Sequence, residues 1–262
     1  MISTELLKGV LTEQQKKIDA AKDEDFVIRE ALKNINKFAG IKHSIIITGA
    51  RRCGKSVLLA EIINQYSSKC YYINFEDERL AGFELQDFNM LYGICIELFG
   101  KAKTFFLDEV QNINGWEKWV RRMYDNDFKF FITGSNARLL SKELATLLTG
   151  RHLQFSIFPF SFKEFLNFKE FGLREEDFHI TERRALINKY LLEYIKSGGF
   201  PEFLKCDKIE ILQEYFNDII QRDIVERYNV KNIKELKELA RYLTTNTGNL
   251  ATYNQLKKLG EI

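Results

Sequence analysis

The stretch Ser44-Ile-Ile-Ile-Thr-Gly49-Ala-Arg-Arg-Cys-Gly54-Lys55-Ser56 decides the fold of this chain. Its first part is rich in β-branched side chains and predicts a strand over residues 44–48. Its second part matches the spacing G-x-x-x-x-G-K-[ST], and residues 56–63 continue as an apolar helix. A loop in this position turns backbone N–H groups and the positive end of the helix toward an anion. The strand and the helix exclude a glycine-rich turn with a chance lysine, so the stretch predicts a phosphate-binding loop (P-loop).

The P-loop gives each of its residues an expected role. Gly49 and Gly54 let the backbone wrap closely around a phosphate. Lys55 brings positive charge to the β- and γ-phosphates of a nucleotide, and the hydroxyl of Ser56 is a magnesium ligand. Cys53 is expected to fill space, and the cations around its thiol raise the further hypothesis of a reactive cysteine. The expected nucleotide-binding residues are Gly49, Ala50, Arg51, Arg52, Cys53, Gly54, Lys55, Ser56 and Val57.

Outward from the P-loop, short β-branched and aromatic runs alternate with amphipathic segments. Five strands separated by helices predict an α/β fold, a parallel sheet covered by helices on both faces. The predicted strands are residues 44–48, 70–75, 103–107, 129–133 and 152–158. The predicted helices between them are residues 56–63, 87–99, 116–124 and 141–148, and one or two further helices precede the first strand.

Two acidic residues end the third predicted strand. Asp108 and Glu109 follow an apolar run and match the Walker B pattern about fifty residues after a P-loop. Asp108 is expected to hold the magnesium ion, directly or through water. Glu109 is expected to orient or deprotonate the attacking water.

Polar residues also follow the fourth strand and precede the fifth. Ser135 or Asn136 is expected to sense the γ-phosphate at the carboxyl edge of the sheet, although either side chain also suits a helix N-cap. Arg151 is either an ordinary surface cation or an arginine that reaches the phosphate of a neighbouring subunit. Both alternatives stay open at this point.

The chain changes character after Pro159, where helical periodicity replaces the strands. Residues 181–196, 209–225 and 233–243 carry apolar side chains at i, i+3 and i+4. The segment 231–260 is locally basic, which fits a solvated helical face or a DNA contact. The last residues, 250–262, begin another amphipathic helix and stop within the pattern, which suggests that the chain is a truncation of a longer protein.

Composition restricts the classes of function. The 262 residues carry a net charge of +2, which excludes a chain that coats polyanions through bulk charge. No apolar stretch reaches the roughly 18 residues that span a bilayer, and the N-terminus lacks a secretory signal, so we expect a cytoplasmic protein with no membrane contact. The four cysteines form no CxxC pair and predict reduced thiols. Trp116 and Trp119 predict core packing rather than a platform for nucleic-acid bases.

Taken together, the motifs resemble the AAA+ ATPases of the P-loop class. The closest resemblance is to archaeal and bacterial ATPases that join an AAA-type core to a winged-helix segment and a poorly characterised C-terminal domain. The motifs that carry this resemblance are Gly49-Ala-Arg-Arg-Cys-Gly-Lys-Ser56, Asn74-Phe-Glu-Asp-Glu-Arg-Leu80, Leu107-Asp-Glu-Val-Gln111, Ile132-Thr-Gly-Ser-Asn-Ala137, Leu148-Thr-Gly-Arg151, Pro159-Phe-Ser-Phe162 and Gly198-Gly-Phe-Pro-Glu202.

This resemblance implies the strand order 5-1-4-3-2 and three regions. These are an ATPase core over residues 1–165, a helical lid over residues 166–230, and the start of an incomplete winged helix over residues 231–262. It implies that Arg151 is an arginine finger acting in trans within a homo-oligomer, and that Ser135 or Asn136 is sensor 1. No arginine in the lid is assigned as sensor 2, and the missing C-terminal domain leaves the partner undefined.

The sequence therefore predicts an ATPase that uses ATP and Mg²⁺ and couples hydrolysis to a conformational change acting on a partner, with DNA as a candidate. A slow nucleotide-gated switch or DNA-binding regulator is the alternative. A small-molecule kinase shares the P-loop but needs lid arginines that the sequence does not indicate. No guanine-reading Asn/Thr-Lys-x-Asp motif follows the fourth strand, which favours ATP over GTP.

Overall fold

The computed structural model describes residues 2–21, 26–66, 69–135 and 150–259. It divides the chain into two compact units, Met1–Asp207 and Lys208–Ile262. The boundaries expected at residues 165 and 230 remain predictions. In the described part of the chain, no helix combines the length and the apolar character that crossing a membrane requires.

A parallel sheet of five strands forms the centre of the first unit. The strand order is β2-β3-β4-β1-β5, which confirms the order expected from the resemblance. The central strand, β1, pairs with β4 on one side and β5 on the other, so that Ile46 lies opposite Ile132 and Gln154. The strands are β1 Ser44–Gly49, β2 Tyr71–Asn74, β3 Thr104–Asp108, β4 Lys129–Ser135 and β5 His152–Ile157.

Helices cover both faces of this sheet, as the alternating pattern predicts. The described helices of the first unit are α1 Thr4–Ala20, α2 Glu30–Ala39, α3 Lys55–Gln65, α4 Phe88–Phe99, α5 Trp116–Asp125, α6 Phe162–Phe168, α7 Thr181–Ser197 and α8 Pro201–Cys206. The helix expected at residues 141–148 lies outside the described residues.

The pleat of the strands divides the core into two layers. Phe105 and Phe130 stack on one face of the sheet, where Leu7 of α1 and Trp119 of α5 pack. The neighbouring side chains Phe106 and Phe131 stack on the other face, with ring centroids 4.5 Å apart, against α2 and α3. Successive side chains of a strand point to opposite faces, so each stacked pair contributes to one layer.

The two tryptophans of α5 belong to the first of these layers. Trp116 is 6% exposed and Trp119 is 2% exposed. Buried rings cannot stack on nucleic-acid bases. The prediction of core packing is therefore confirmed, and a base-stacking platform at α5 is excluded.

One edge of the sheet is covered by a side chain of α1. The amide of Gln14 donates to the carbonyl of Asn74 at 2.9 Å and accepts from the Asn74 N–H at 2.9 Å. These are the two hydrogen bonds that a neighbouring strand would make with this residue of β2.

The second unit is helical in its described residues. The helix expected at residues 209–225 is present, but its second half is a π-helix, Ile219–Val225. A π-helical stretch follows the wider i→i+5 hydrogen-bond pattern, which apolar periodicity does not reveal. The helices of this unit are α9 Ile209–Asp218, the π-helix, the short Glu226–Tyr228, α10 Ile233–Thr245 and α11 Tyr253–Leu259.

Candidate functional site

The P-loop connects the end of β1 to the start of α3. A Cβ atom on Gly49 would lie 2.4 Å from the carbonyl oxygen of Ile157 and 2.9 Å from the sulfur of Cys53. No side chain fits at that distance, so this position requires glycine. Gly54, directly before α3, has φ 94°, a left-handed conformation that favours glycine. The two glycines of the motif are therefore needed for the course of the backbone itself.

Lys55 lies inside this loop. Its side chain is 5% exposed, and its ammonium nitrogen is 3.2 Å from the carbonyl oxygen of Ala50 and 3.4 Å from that of Gly49. The same nitrogen is 3.4 Å from Oε1 of Glu109. The first turn of α3 also carries Ser56 and the exposed Val57. The ammonium is thus held between the P-loop carbonyls and the Glu109 carboxylate.

The two acids after β3 share one buried hydroxyl. The hydroxyl of Thr133, at the end of the adjacent strand β4, donates to a carboxylate oxygen of Asp108. It also accepts from the backbone N–H of Glu109 at 3.2 Å. Glu109 has φ 52°, so the chain turns sharply between the two acids. Thr133 therefore orients both acids, although the sequence interpretation assigned it no role.

Asp108 is fully buried, and its surroundings change its acidity. Burial raises the pKa of its carboxyl group, while hydrogen bonds from Thr133 and Ser56 lower it. The phenol of Tyr72 donates to the other carboxylate oxygen at 3.3 Å. Burial and the nearby carboxylate raise the pKa of Tyr72 in turn. The hydroxyl of Ser56 and the carboxylate of Asp108 are thus neighbours, and their role as magnesium ligands stays a prediction.

This pair of oxygen donors fits a magnesium ion. Mg²⁺ prefers hard oxygen ligands, and it is usually bound by one or two protein groups together with phosphate oxygens and water. A buried carboxylate whose pKa is raised by desolvation also gains from a nearby cation. Within the described residues, no group of three or more His, Cys, Asp and Glu side chains offers an alternative metal site.

Glu109 is held at its carboxylate as well as at its backbone. The side-chain amide of Gln111 donates to Oε2 of Glu109, while Lys55 lies beside Oε1. Gln111 and Glu109 belong to the turn around the 3₁₀-helix Val110–Asn112. The sequence interpretation did not assign Gln111, because a side-chain bond two residues back has no motif of its own.

A buried arginine directly before α2 holds the P-loop through a hydrogen bond to its backbone. Arg29 is 5% exposed, and its guanidinium donates to the carbonyl of Cys53 at 2.7 Å and to that of Phe158 at 2.6 Å. Its Nε is 3.0 Å from Glu164 of α6, whose side chain is also 5% exposed. Arg29 thus ties together the P-loop, the end of β5 and α6. Nothing in the sequence singled it out.

Two sequence motifs, residues 159–162 and 198–202, meet beside this arginine. The N–H of Phe160 donates to the carbonyl of Gly199 at 2.7 Å. A Cβ atom on Gly199 would lie 2.2 Å from the carbonyl oxygen of Phe160, so glycine is required there too. The guanidinium of Arg29 lies 5.1 Å above the ring of Phe160. The motifs 159–162 and 198–202 therefore form one packed unit behind the P-loop.

The two arginines within the P-loop pair with carboxylates. Arg51 donates to Glu76 at 2.7 Å, and Arg52 lies 3.8 Å from Glu202. Glu76 follows β2, and Glu202 lies in the first turn of α8. These pairs connect the P-loop to two flanking segments of the first unit.

Cys53 fills space under the loop, as expected. Its side chain is fully buried, and burial raises the pKa of the thiol although Lys55 and Arg29 lower it. A buried thiol with a raised pKa carries little thiolate. Burial of the thiol thus disfavours the hypothesis of a reactive cysteine, which counted the neighbouring cations and left out desolvation.

The remaining predicted site residues are Arg151, Ser135 and Asn136. Arg151 lies at the amino end of β5, and its Nε is 3.5 Å from Asp125. The P-loop follows the carboxyl end of the neighbouring β1, so the two are separated by the six residues of that strand, roughly 20 Å. Ser135 ends β4 opposite Gly49. Asn136 lies outside the described residues.

Comparisons with known proteins agree with this geometry. Residues 42–166 match the family model described as an AAA domain. Residues 188–261 match a second family model, described as a domain of unknown function (DUF8612).

Two relatives extend across most of the chain. The uncharacterized protein MJ1544 of Methanocaldococcus jannaschii is 46% identical over 203 residues, which make up 76% of this chain and 45% of the relative. An uncharacterized protein of Haemophilus influenzae is 36% identical over 224 residues, covering 80% of this chain and 53% of the relative. The chain thus spans about half the length of these relatives.

Among solved structures, the Walker-type ATPase PABY2304 of Pyrococcus abyssi aligns with 91% of this chain and 89% of its own, with a TM-score of 0.45 and 16% identity. The match to the family model covers the P-loop, Asp108, Glu109 and Thr133. What these comparisons add is thus a match of residues 42–166 to the AAA domain model.

Proposed function

We propose that this chain binds ATP together with Mg²⁺ and hydrolyses the bond between its β- and γ-phosphates. The observation that carries the proposal is the meeting of four side chains at one sheet edge. Lys55 and Glu109 are 3.4 Å apart, and Ser56 lies close enough to Asp108 to lower the pKa of its carboxyl group. A cation, a metal-binding oxygen pair and a candidate base are the groups that phosphoryl transfer to water needs.

Each of these side chains has a distinct task in the proposed reaction. Lys55 and the backbone N–H groups of the P-loop bind the phosphates. Ser56 and Asp108 hold Mg²⁺, which neutralises phosphate charge when it is bound. Glu109 accepts a proton from the attacking water, and Thr133 fixes the backbone from which Glu109 reaches that water. The contribution of the protein is mainly positioning and electrostatic stabilisation.

Steady-state phosphate release in the presence of Mg²⁺ and ATP, together with nucleotide binding by calorimetry, tests the proposal. In Lys55→Ala we expect ATP affinity to fall about 10- to 100-fold, because a hydrogen bond to a charged group contributes about 1.5–3 kcal/mol. Lys42→Ala removes an exposed lysine outside the site and is the matched control. Native affinity in Lys55→Ala, or no phosphate release by the native chain, would contradict the proposal.

A slow, partner-gated switch is the second candidate, and one observation favours it. Both carboxylate oxygens of Glu109 are engaged, one by Lys55 and the other by Gln111. A base whose oxygens are occupied in this way is poorly placed to accept a proton from water. On this hypothesis the basal turnover is slow, and it rises when a partner moves the turn that carries Gln111.

Arg151 is proposed to complete the site of a second copy of the chain. Its position across the sheet from the P-loop keeps it from the phosphate site of its own chain. In the native chain we expect the turnover per molecule to rise with protein concentration. In Arg151→Ala we expect it to fall about 1000-fold or more at high concentration, as for other arginine fingers.

The control for Arg151 is Arg184→Ala, which removes an exposed arginine of α7. Turnover that stays constant with concentration and is unaffected by Arg151→Ala would mean that each chain hydrolyses ATP alone.

DNA remains a proposed partner for the second unit. Lys234, Lys237 and Arg241 recur at helical spacing along α10, which presents one basic face. The proposal is carried by this local charge, since the net charge of the whole chain is only +2.

A further inference from the structure

A cavity of about 870 Å³ lies in the first unit, beside the Walker B strand. One wall comes from residues 81–89, which follow β2 and enter α4. The other comes from residues 112–122, which follow β3 and form most of α5. Ligands of open α/β sheets bind outside the carboxyl ends of the strands, and both walls begin in the segments that follow those ends. None of the residues assigned to the nucleotide lines this cavity.

The lining mixes polar and apolar side chains and carries a positive excess. Its amide side chains are Gln86, which donates to Glu84 at 2.9 Å, Asn89, which accepts from Arg122, and Asn114. Lys118 and Arg122 supply two positive charges from one face of α5. Glu84 is the single acid of the lining, so the lining has a net charge of +1. This combination suits a ligand with amide groups and a carboxylate.

A buried donor without a partner also belongs to the lining. Trp119 is 2% exposed and lines the cavity, and its indole N–H finds no acceptor among the described residues. Its ring is fixed by stacking on Phe88, with centroids 4.5 Å apart. A buried donor left without an acceptor costs about 1–3 kcal/mol of free energy, so this wall of the cavity is a place of incomplete hydrogen bonding.

The wall formed by residues 112–122 is hydrogen-bonded to Glu109, the proposed catalytic base. Asn112 lines the cavity, and its backbone N–H donates to the carbonyl of Glu109 at 3.2 Å. Its side chain donates to the carbonyl of Phe75 at 3.2 Å. Gln111, the neighbouring residue, holds the carboxylate of Glu109. A ligand that shifts Asn112 therefore shifts the turn that positions Glu109.

We propose that this cavity binds a segment of a partner polypeptide that carries an acidic side chain. The amide side chains pair with the peptide backbone, and Lys118 and Arg122 bind the carboxylate. Occupancy releases Glu109 from Gln111 through the turn Val110–Asn112. This last step rests on the proposed ATPase function, while the binding itself does not.

The binding experiment uses the whole chain without nucleotide. The probe is a pool of capped hexapeptides with one fixed glutamate and randomised neighbours, and the matched pool has glutamine at the fixed position. We expect the glutamate pool to be retained and the glutamine pool to be lost. In the double variant Lys118→Gln, Arg122→Gln we expect retention to fall about 10-fold or more, because charge-assisted hydrogen bonds are lost.

The control variant is Arg121→Gln, which removes a neighbouring charge of α5 outside the lining and should leave retention unchanged. Equal retention of both pools, or of the double variant and the native chain, overturns the proposal. Free N-acetylglutamate that competes as well as the peptides overturns it in favour of a small carboxylate. Competition by a short single-stranded DNA alone overturns it in favour of a nucleic acid.

Phosphate release with and without the retained peptides separates peptide binding from its effect on ATP turnover. We expect the glutamate pool to raise turnover several-fold in the native chain, while in the double variant the turnover with and without the pool should be the same. Retention without stimulation removes the link to Glu109 and keeps the peptide site. Absence of any hydrolysis by the native chain concerns the proposed function alone, since retention is measured without ATP.

Discussion

Glu109→Gln is expected to lower ATP turnover by about 100- to 10,000-fold, the usual contribution of a general base, while the chain still binds nucleotide. Glutamine keeps the size and most hydrogen bonds of the side chain but cannot accept the proton of water. It also removes the carboxylate that lies 3.4 Å from Lys55. The ammonium then faces the phosphates without a competitor, so ATP affinity should stay at the native level or increase.

Single-turnover phosphate release and calorimetric ATP binding measure these two effects separately. The control is Glu97→Gln, which removes an exposed carboxylate that pairs with Lys8 on the surface. Native turnover in Glu109→Gln would remove this residue from the role of base. A parallel loss of affinity would instead indicate that Glu109 shapes the P-loop.

Arg29→Met is expected to lower the free energy of unfolding of the first unit by about 3–5 kcal/mol. The variant leaves the carboxylate of Glu164 buried without its cation, and it leaves the carbonyl of Cys53 without its donor. Because that carbonyl belongs to the P-loop, we also expect weaker ATP binding. Chemical denaturation followed by tryptophan fluorescence measures the first effect, and calorimetry measures the second.

A second variant separates the two roles of Arg29. In the double variant Arg29→Met, Glu164→Leu, the buried charge is gone, so part of the stability should return while ATP binding stays weak. Lys163→Met breaks the exposed pair with Glu30 and should change stability by about 0–1 kcal/mol. Recovery of ATP binding in the double variant would mean that Arg29 acts through stability alone.

The parts of the fold that depend on local pattern could be predicted from the sequence. The run Ser44 to Ser56 has a strand, a glycine-rich loop and a helix start in consecutive residues, and the structure has all three. Predicted strands differ from the observed ones by a residue or two at their ends. The order of the strands needed a resemblance, because periodicity describes each strand but not its neighbour.

The contacts that hold the site residues in place could not be predicted, since they join segments that are distant in the sequence. Arg29 and Glu164 are 135 positions apart, and Thr133 reaches Glu109 from a neighbouring strand. A sequence pattern has no signal for such pairs unless the strand order is already known. With that order, a threonine at the end of β4 next to the acids of β3 becomes a candidate.

The hydrogen bonds between Gln14 and Asn74 affect how copies of this chain can meet. An edge strand with free N–H and C=O groups is a template on which another chain can build its own strand. At Asn74 both groups are already taken by the amide of α1. Fibre-like growth through β2 would first have to pull Gln14 away, so this helix protects the domain against uncontrolled assembly along its sheet.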